Sequence, residues 1–180
     1  MKRNLFILVL ALQSAWVLYT VAVQERAWSA GKVIMLETER VDPRDLLRGD
    51  YLILNYKISN VPTNLFSPPV GRDLPLGTKV FVALEPRGDF YAVSRASTNE
   101  FQPATGELVL KARSTWAMWN RTNSIRVEYG LEKYFVREGT GNPEGKLTVQ
   151  AVVPASGHAS IKQVFLDGKP YVEAMKSQTR

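Results

Sequence analysis

The sequence contains no cysteine and a single histidine, His158. Disulfide scaffolds, iron–sulfur clusters, thiol nucleophiles and any zinc site that needs two histidines are thereby excluded. Glycine and proline are missing from the N-terminal stretch: no glycine precedes Gly31 and no proline precedes Pro43. Nothing there breaks a helix. Neither sign of charge is scarce, with Lys+Arg 23 against Asp+Glu 17, a formal charge of +6. With hydrophobic residues at 45% and charged residues at 22%, disordered and collagen-like classes drop out. The 180 residues suit one domain plus an appendage and are too few for a TIM barrel.

The longest feature present is an apolar run. Lys2 and Arg3 are followed by Leu5–Val23, which carries no charge and has only Gln13, Ser14 and Thr20 as polar residues. As a helix it would span about 28 Å at ~1.5 Å per residue, close to the hydrocarbon core of a bilayer. A cleaved signal peptide is the competing reading, but the run exceeds the apolar region of such peptides and no Ala-x-Ala site follows it. Residues 1–26 are therefore expected to be a cytosolic stub and an uncleaved anchor in contact with membrane lipid through Leu5–Val23. The basic flank places the N-terminus inside and residues 27–180 outside. Nucleic acid is not an expected partner, because lysines and arginines are scattered rather than striped and the domain is exported.

All ten prolines lie beyond residue 42 and all twelve glycines beyond residue 30, the punctuation of a turn-rich domain. Between them run short segments of period-2 alternation, at Val33–Glu39, Tyr51–Ile58, Lys79–Leu84, Phe90–Arg95, Glu107–Ala112, Ser124–Tyr129, Leu147–Val153, Ser160–Leu166 and Tyr171–Glu173. Hairpins are expected at Pro86–Asp89 and at Asp167-Gly168. The fold class is mainly β, an antiparallel sandwich or small barrel of about eight or nine strands behind one transmembrane helix. Leu52, Leu54, Tyr56, Val80, Val82, Val149, Ala151 and Val164 should lie in its core. The alternative is an α+β domain with a helix around Leu131–Arg137. The proline-rich stretch Asn60–Thr78 reads either as a long connection held down by Leu65 and Phe66 or as a flap.

One stretch has a physical logic of its own. Asp42 suits an N-cap, Pro43 the first helical position, and Gly49 the left-handed position that ends a turn. The strand after it alternates, sending Leu52, Leu54 and Tyr56 inward and Tyr51, Ile53 and Asn55 outward. Gly49-Asp50-Tyr51-Leu52-Ile53-Leu54-Asn55-Tyr56 matches every fixed position of GDYXXLXY, and the chain resembles the bacterial family named by that motif. Tyr129–Gly139 is similar to the family's second block. The resemblance implies a protein anchored in the bacterial cytoplasmic membrane, its domain periplasmic or extracellular, beside a multi-spanning membrane protein. A local resemblance to the serine region of signal-peptidase-like enzymes also exists in Leu46 and Gly49-Asp50. Val41 stands where that pattern has its serine, so Lys57 or Lys79 would have nothing to deprotonate.

Other candidate chemistry is thin. Gly139–Lys146 lacks the spacing of a phosphate loop, and His158 sits in a small-residue loop with no nucleophile elbow. No metal site and no cofactor are expected. Glu132 and Glu138 would flank a short helix as a carboxylate pair, or else would cap backbone amides. Trp116 and Trp119 form an aromatic pair suited to packing or to a sugar. The expected function is a non-catalytic accessory subunit docking on an integral membrane partner through Arg48, Tyr51, Asn55, Tyr134 and Glu138. The alternative is an envelope hydrolase or sugar-binding module.

Overall fold

The computed structural model describes residues 2–39, 51–71, 74–115, 123–136 and 145–178. Helix α1, Lys2–Ser29, contains the whole apolar run. Its leucines, valines and aromatics from Leu5 to Val23 are exposed, and it is long and apolar enough to cross a membrane. Within it the Thr20 hydroxyl donates to the Val17 carbonyl at 2.8 Å, so this polar group is satisfied inside the helix. Only Ala30 and Gly31 separate α1 from the first strand. Gly31 is hemmed in there, since a Cβ would lie 2.4 Å from Val152.

Eleven strands follow, all paired antiparallel in three sheets, with no closed barrel among the described residues. They are β1 Lys32–Glu37, β2 Tyr51–Ile53, β3 Asn60–Pro62, β4 Lys79–Arg87, β5 Phe90–Ser97, β6 Leu108–Ser114, β7 Ser124–Glu128, β8 Lys133–Phe135, β9 Leu147–Val153, β10 Ser160–Leu166 and β11 Lys169–Pro170. The sheets run β1-β9-β10-β11, β2-β8 and β3-β7-β6-β4-β5. The mainly-β expectation holds, with two more strands than the alternation suggests. The three strands that the alternation did not suggest, β3, β8 and β11, have only two or three residues, too short to show a period. All eight expected core residues are buried, in one cluster with Ile34, Leu36, Leu84, Leu110 and Leu166.

Both expected hairpins form. Asp167 and Gly168 have φ of 48° and 79°, the doubly positive turn that matches strand twist. At the other, Arg87 pairs with Phe90 across Gly88-Asp89.

Two expectations need correction, and two of the alternatives left open do not form where described. Tyr171–Glu173 is not a strand but the start of helix α2, Tyr171–Gln178. Among its described side chains Tyr171, Ala174 and Met175 are buried, a spacing of i, i+3, i+4, while Val172 and Glu173 face solvent. The β-prone Tyr-Val pair conceals that period. The helix considered around Leu131–Arg137 is replaced by β8. The ladder in Tyr51–Ile58 stops at Ile53, and a 3-10 turn occupies Lys57–Ser59. Finally, Asn60–Thr78 is no flap where described: it supplies β3, a 3-10 turn at Thr63–Leu65 and the buried Phe66, which bridges to Ala96.

The sheet that contains β5 and β6 carries an acid-sensitive contact. Glu107 accepts from Arg95 Nη2 at 2.9 Å, from Ser94 Oγ at 2.8 Å and from the Ala104 amide at 2.9 Å. The Arg95 guanidinium in particular pulls its carboxyl down to about 2 from the usual 4.5. Because the folded value is the lower one, the stabilisation is present above about 4.5 and is lost as pH falls towards about 2. Chemical unfolding measured across that window should show Glu107→Gln with a flatter acid limb than the parent. An identical slope would mean that Glu107 contributes nothing there.

Candidate functional site

The two blocks that carry the sequence motifs lie together. Tyr51, Leu52 and Ile53 of β2 pair with Phe135, Tyr134 and Lys133 of β8. Beyond the ladder, the Leu54 amide donates to the Glu132 carbonyl at 2.8 Å. Two tyrosines then lock the blocks reciprocally. The Tyr56 hydroxyl donates to the Leu131 carbonyl at 2.7 Å, and the Tyr129 hydroxyl donates to the Ile58 carbonyl at 2.7 Å. Each phenol thus reaches the backbone two residues beyond the other. Burial, with the Glu132 charge adding to it, pushes both phenols above their ordinary value, so both stay protonated donors.

Glu132 completes this clasp. Its oxygens accept from the Tyr129 amide at 2.6 Å and the Gly130 amide at 2.9 Å, holding a tight turn in which Gly130 has φ of 82°. Burial raises its carboxyl above the usual range, and the nearby Glu128 charge adds to that against the amides that lower it. Of the two sequence alternatives for Glu132, amide capping is the one its geometry serves. Glu138 lies outside the described residues, as do Asp42, Pro43, Arg48, Gly49, Asp50, Val41, Trp116 and Trp119.

Register decides which of the expected surface residues face outward. Tyr51 lies opposite Phe135 with ring centroids 6.2 Å apart, edge to face, and Lys133 Nζ stands 5.2 Å from the Tyr51 centroid. Phe135 is 76% exposed, the largest value for a large apolar side chain among the described residues. Tyr134 pairs with buried Leu52 and therefore turns inward, where its ring meets Tyr171 at 5.9 Å. Asn55 is engaged as well: its carbonyl accepts from the Glu39 amide at 2.7 Å, and its side-chain oxygen accepts from Arg126. The outward pair is thus Tyr51 and Phe135, not Tyr51 and Tyr134. Antiparallel parity from Leu52 would have found Phe135, but only with the β2–β8 register known.

A second feature adjoins the clasp. β1 runs alongside β5 without a backbone ladder between them, and a groove of about 540 Å³ opens there. Phe90–Ser94 forms one wall, β3 with the 3-10 turns on either side of it forms the other, and Glu37 and Arg87 also line it. Glu37 holds Lys57 on one oxygen and Lys146 on the other, each at 2.7 Å. Those two ammonium groups keep its carboxyl below the usual range. Lys57 is thus paired, and Lys79 is exposed on β4. His158 is exposed in its loop. Among the described residues, no group of three or more His, Cys, Asp or Glu side chains is arranged to hold a metal ion.

No curated protein and no solved structure matches the chain. A family model described as GDYXXLXY protein matches residues 13–164, from the middle of α1 to Val164 in β10. With the motif clasp, the second block and that match in agreement, the chain belongs to the GDYXXLXY protein family.

Proposed function

We propose that the protein is a membrane-anchored, extracytoplasmic accessory subunit that docks on an integral membrane partner and performs no catalysis itself. The observation that carries this reading is α1: its apolar side chains are uncovered along the whole run, a surface suited to lipid or to another membrane helix. Lys2 and Arg3 before the span favour the N-terminus inside. The two-residue connection to β1 holds the domain close to the bilayer, which raises its effective concentration beside a membrane neighbour. Tyr51 and Phe135, aromatic and outward-facing, supply a contact face of the kind found at interface hot spots.

Full-length protein extracted in mild detergent should retain the intact N-terminal mass and co-purify with one stoichiometric membrane protein. Tyr51→Ala together with Phe135→Ala should lower recovery of that partner while the melting temperature changes little. A mature chain that begins near Val23 would refute the anchor. A monomer that purifies alone and turns over glycan or peptide substrates would refute the accessory role.

A further inference from the structure

Gln13 lies one residue from the middle of the Leu5–Val23 run, at a depth where a bilayer offers no hydrogen bond. Its carboxamide carries two donor hydrogens and an accepting oxygen. The side chain is exposed and has no hydrogen-bond partner among the described residues. The helix backbone cannot supply one, because mid-helix amides and carbonyls are already bonded to each other. Short hydroxyls escape this constraint, and Thr20 folds back on the Val17 carbonyl at 2.8 Å. Nor can the carboxamide reach water, since the faces of a hydrocarbon core about 30 Å thick lie roughly 15 Å from its middle. Leaving such a group unpaired in an apolar medium is costly. A second polypeptide at the same depth is the fitting source of a partner.

Polar residues of the helix share a side with Gln13. Phe6, Leu10, Gln13, Val17, Thr20 and Gln24 follow one another in alternating steps of four and three, a stripe along one face of α1. All six are exposed. A repeat of that kind makes a seam for a neighbouring helix, and one central polar side chain in it fixes the register. Ala11, Ala15 and Ala22 lie on the opposite face, and Trp16 and Tyr19 lie on a flank with ring centroids 6.2 Å apart. A second copy of α1 supplies what Gln13 lacks. The same Lys2 and Arg3 flank inserts every copy in the same direction, so a parallel pair sets Gln13 against Gln13 at one depth. A carboxamide is its own complement: the N–H of each donates to the oxygen of the other across a twofold axis.

We propose that α1 pairs in parallel with α1 of a second copy through this stripe, the two Gln13 carboxamides bonding each other at the centre of the bilayer. The unit that docks on a membrane partner is then a dimer, two domains carried on one helix pair. The proposal rests on the uncleaved anchor of the reading above and goes beyond its docking role.

The chain has no cysteine, so single introduced cysteines report helix contacts without background. Full-length variants are reconstituted in phosphatidylcholine vesicles at several protein-to-lipid ratios and oxidised with copper phenanthroline. Leu10→Cys and Val17→Cys should form disulfide dimers, and Ala11→Cys and Ala15→Cys should not. Energy transfer between labelled copies then measures the pairing itself. Gln13→Leu should weaken it about tenfold, the size of one interhelical hydrogen-bonded contact in a membrane. Gln13→Asn, which keeps the carboxamide, should retain most of it, and Ser14→Leu, beside the stripe, should leave it unchanged. Cross-linking through Ala11→Cys and Ala15→Cys instead would overturn the proposal, as would a Gln13→Leu variant that pairs as well as the parent. Intact chains that stay monomeric in the vesicles would also overturn it, and would leave docking on another membrane protein standing. A Gln13-dependent dimer that recovers no membrane protein would support the pairing and refute the accessory role.

Discussion

Tyr56→Ala is expected to lower the unfolding free energy by about 3–5 kcal/mol, the range for emptying a buried aromatic site. Tyr56 is fully buried, and its hydroxyl is bonded to the Leu131 carbonyl across 75 residues of sequence. Total stabilities of about 5–15 kcal/mol leave little after such a loss. Tyr56→Phe separates the ring from the hydroxyl. It keeps the packing but leaves a buried carbonyl unpaired, at a cost of about 1–3 kcal/mol. Tyr129→Phe should cost a similar amount, since its hydroxyl serves Ile58 in the same way. The two phenols fasten the same pair of segments, so the double variant should lose less than the sum of the singles. Denaturant unfolding of the full chain in detergent, followed by its strand circular dichroism, measures all four. Strict additivity would mean that the two bonds act independently, and a neutral Tyr56→Phe would show that the motif tyrosine serves only as a hydrophobe.

The second large effect is expected at Gly145. Its φ of 141° suits glycine, and a Cβ there would lie 2.2 Å from an Asp167 carboxylate oxygen and 2.9 Å from Leu166. Asp167 is already committed, because its side chain accepts the Lys146 amide at 2.8 Å while its own amide donates to the Lys146 carbonyl at 3.0 Å. Gly145→Ala must therefore strain the backbone or expel Asp167 from this exchange. The strain costs about 1–3 kcal/mol and the lost bond about 0.5–1.5 kcal/mol. The adjoining Lys146 holds Glu37 at the groove, so the change should also loosen that ion pair. Asp167→Asn, which keeps an accepting oxygen, should be much milder. Thermal unfolding of the two variants side by side gives the comparison, and equal melting temperatures would refute the steric argument.

How much was legible in the sequence varies from element to element for physical reasons. α1 was plain because nineteen successive residues without charge outweigh any local ambiguity. The core positions Leu52, Leu54 and Tyr56 were also plain: alternation follows from the pleat, and it persisted after the β2 ladder had ended. The Asp167-Gly168 hairpin was readable because its turn needs two positive φ angles that few residue pairs accept. α2 was misread, since Tyr171 and Val172 favour strands while only the spacing of Ala174 and Met175 marks a helix. Within eight residues a period of 3.6 barely declares itself.

Composition and local periodicity determined the apolar helix, the β class and the inward-facing residues of the long strands, because each depends on neighbours a few positions away. Tertiary structure alone decided what the motif does. Nothing near Tyr56 in sequence shows that its hydroxyl will meet Leu131, nor that Tyr129 will return the bond to Ile58. The outward aromatic is Phe135 rather than Tyr134 because the β2–β8 register sets it opposite Tyr51, and a shift of one residue would exchange them. The β5 groove is likewise invisible in the sequence. Where a groove opens is a property of strand order, and strand order is set by which apolar faces can be buried together across the whole chain.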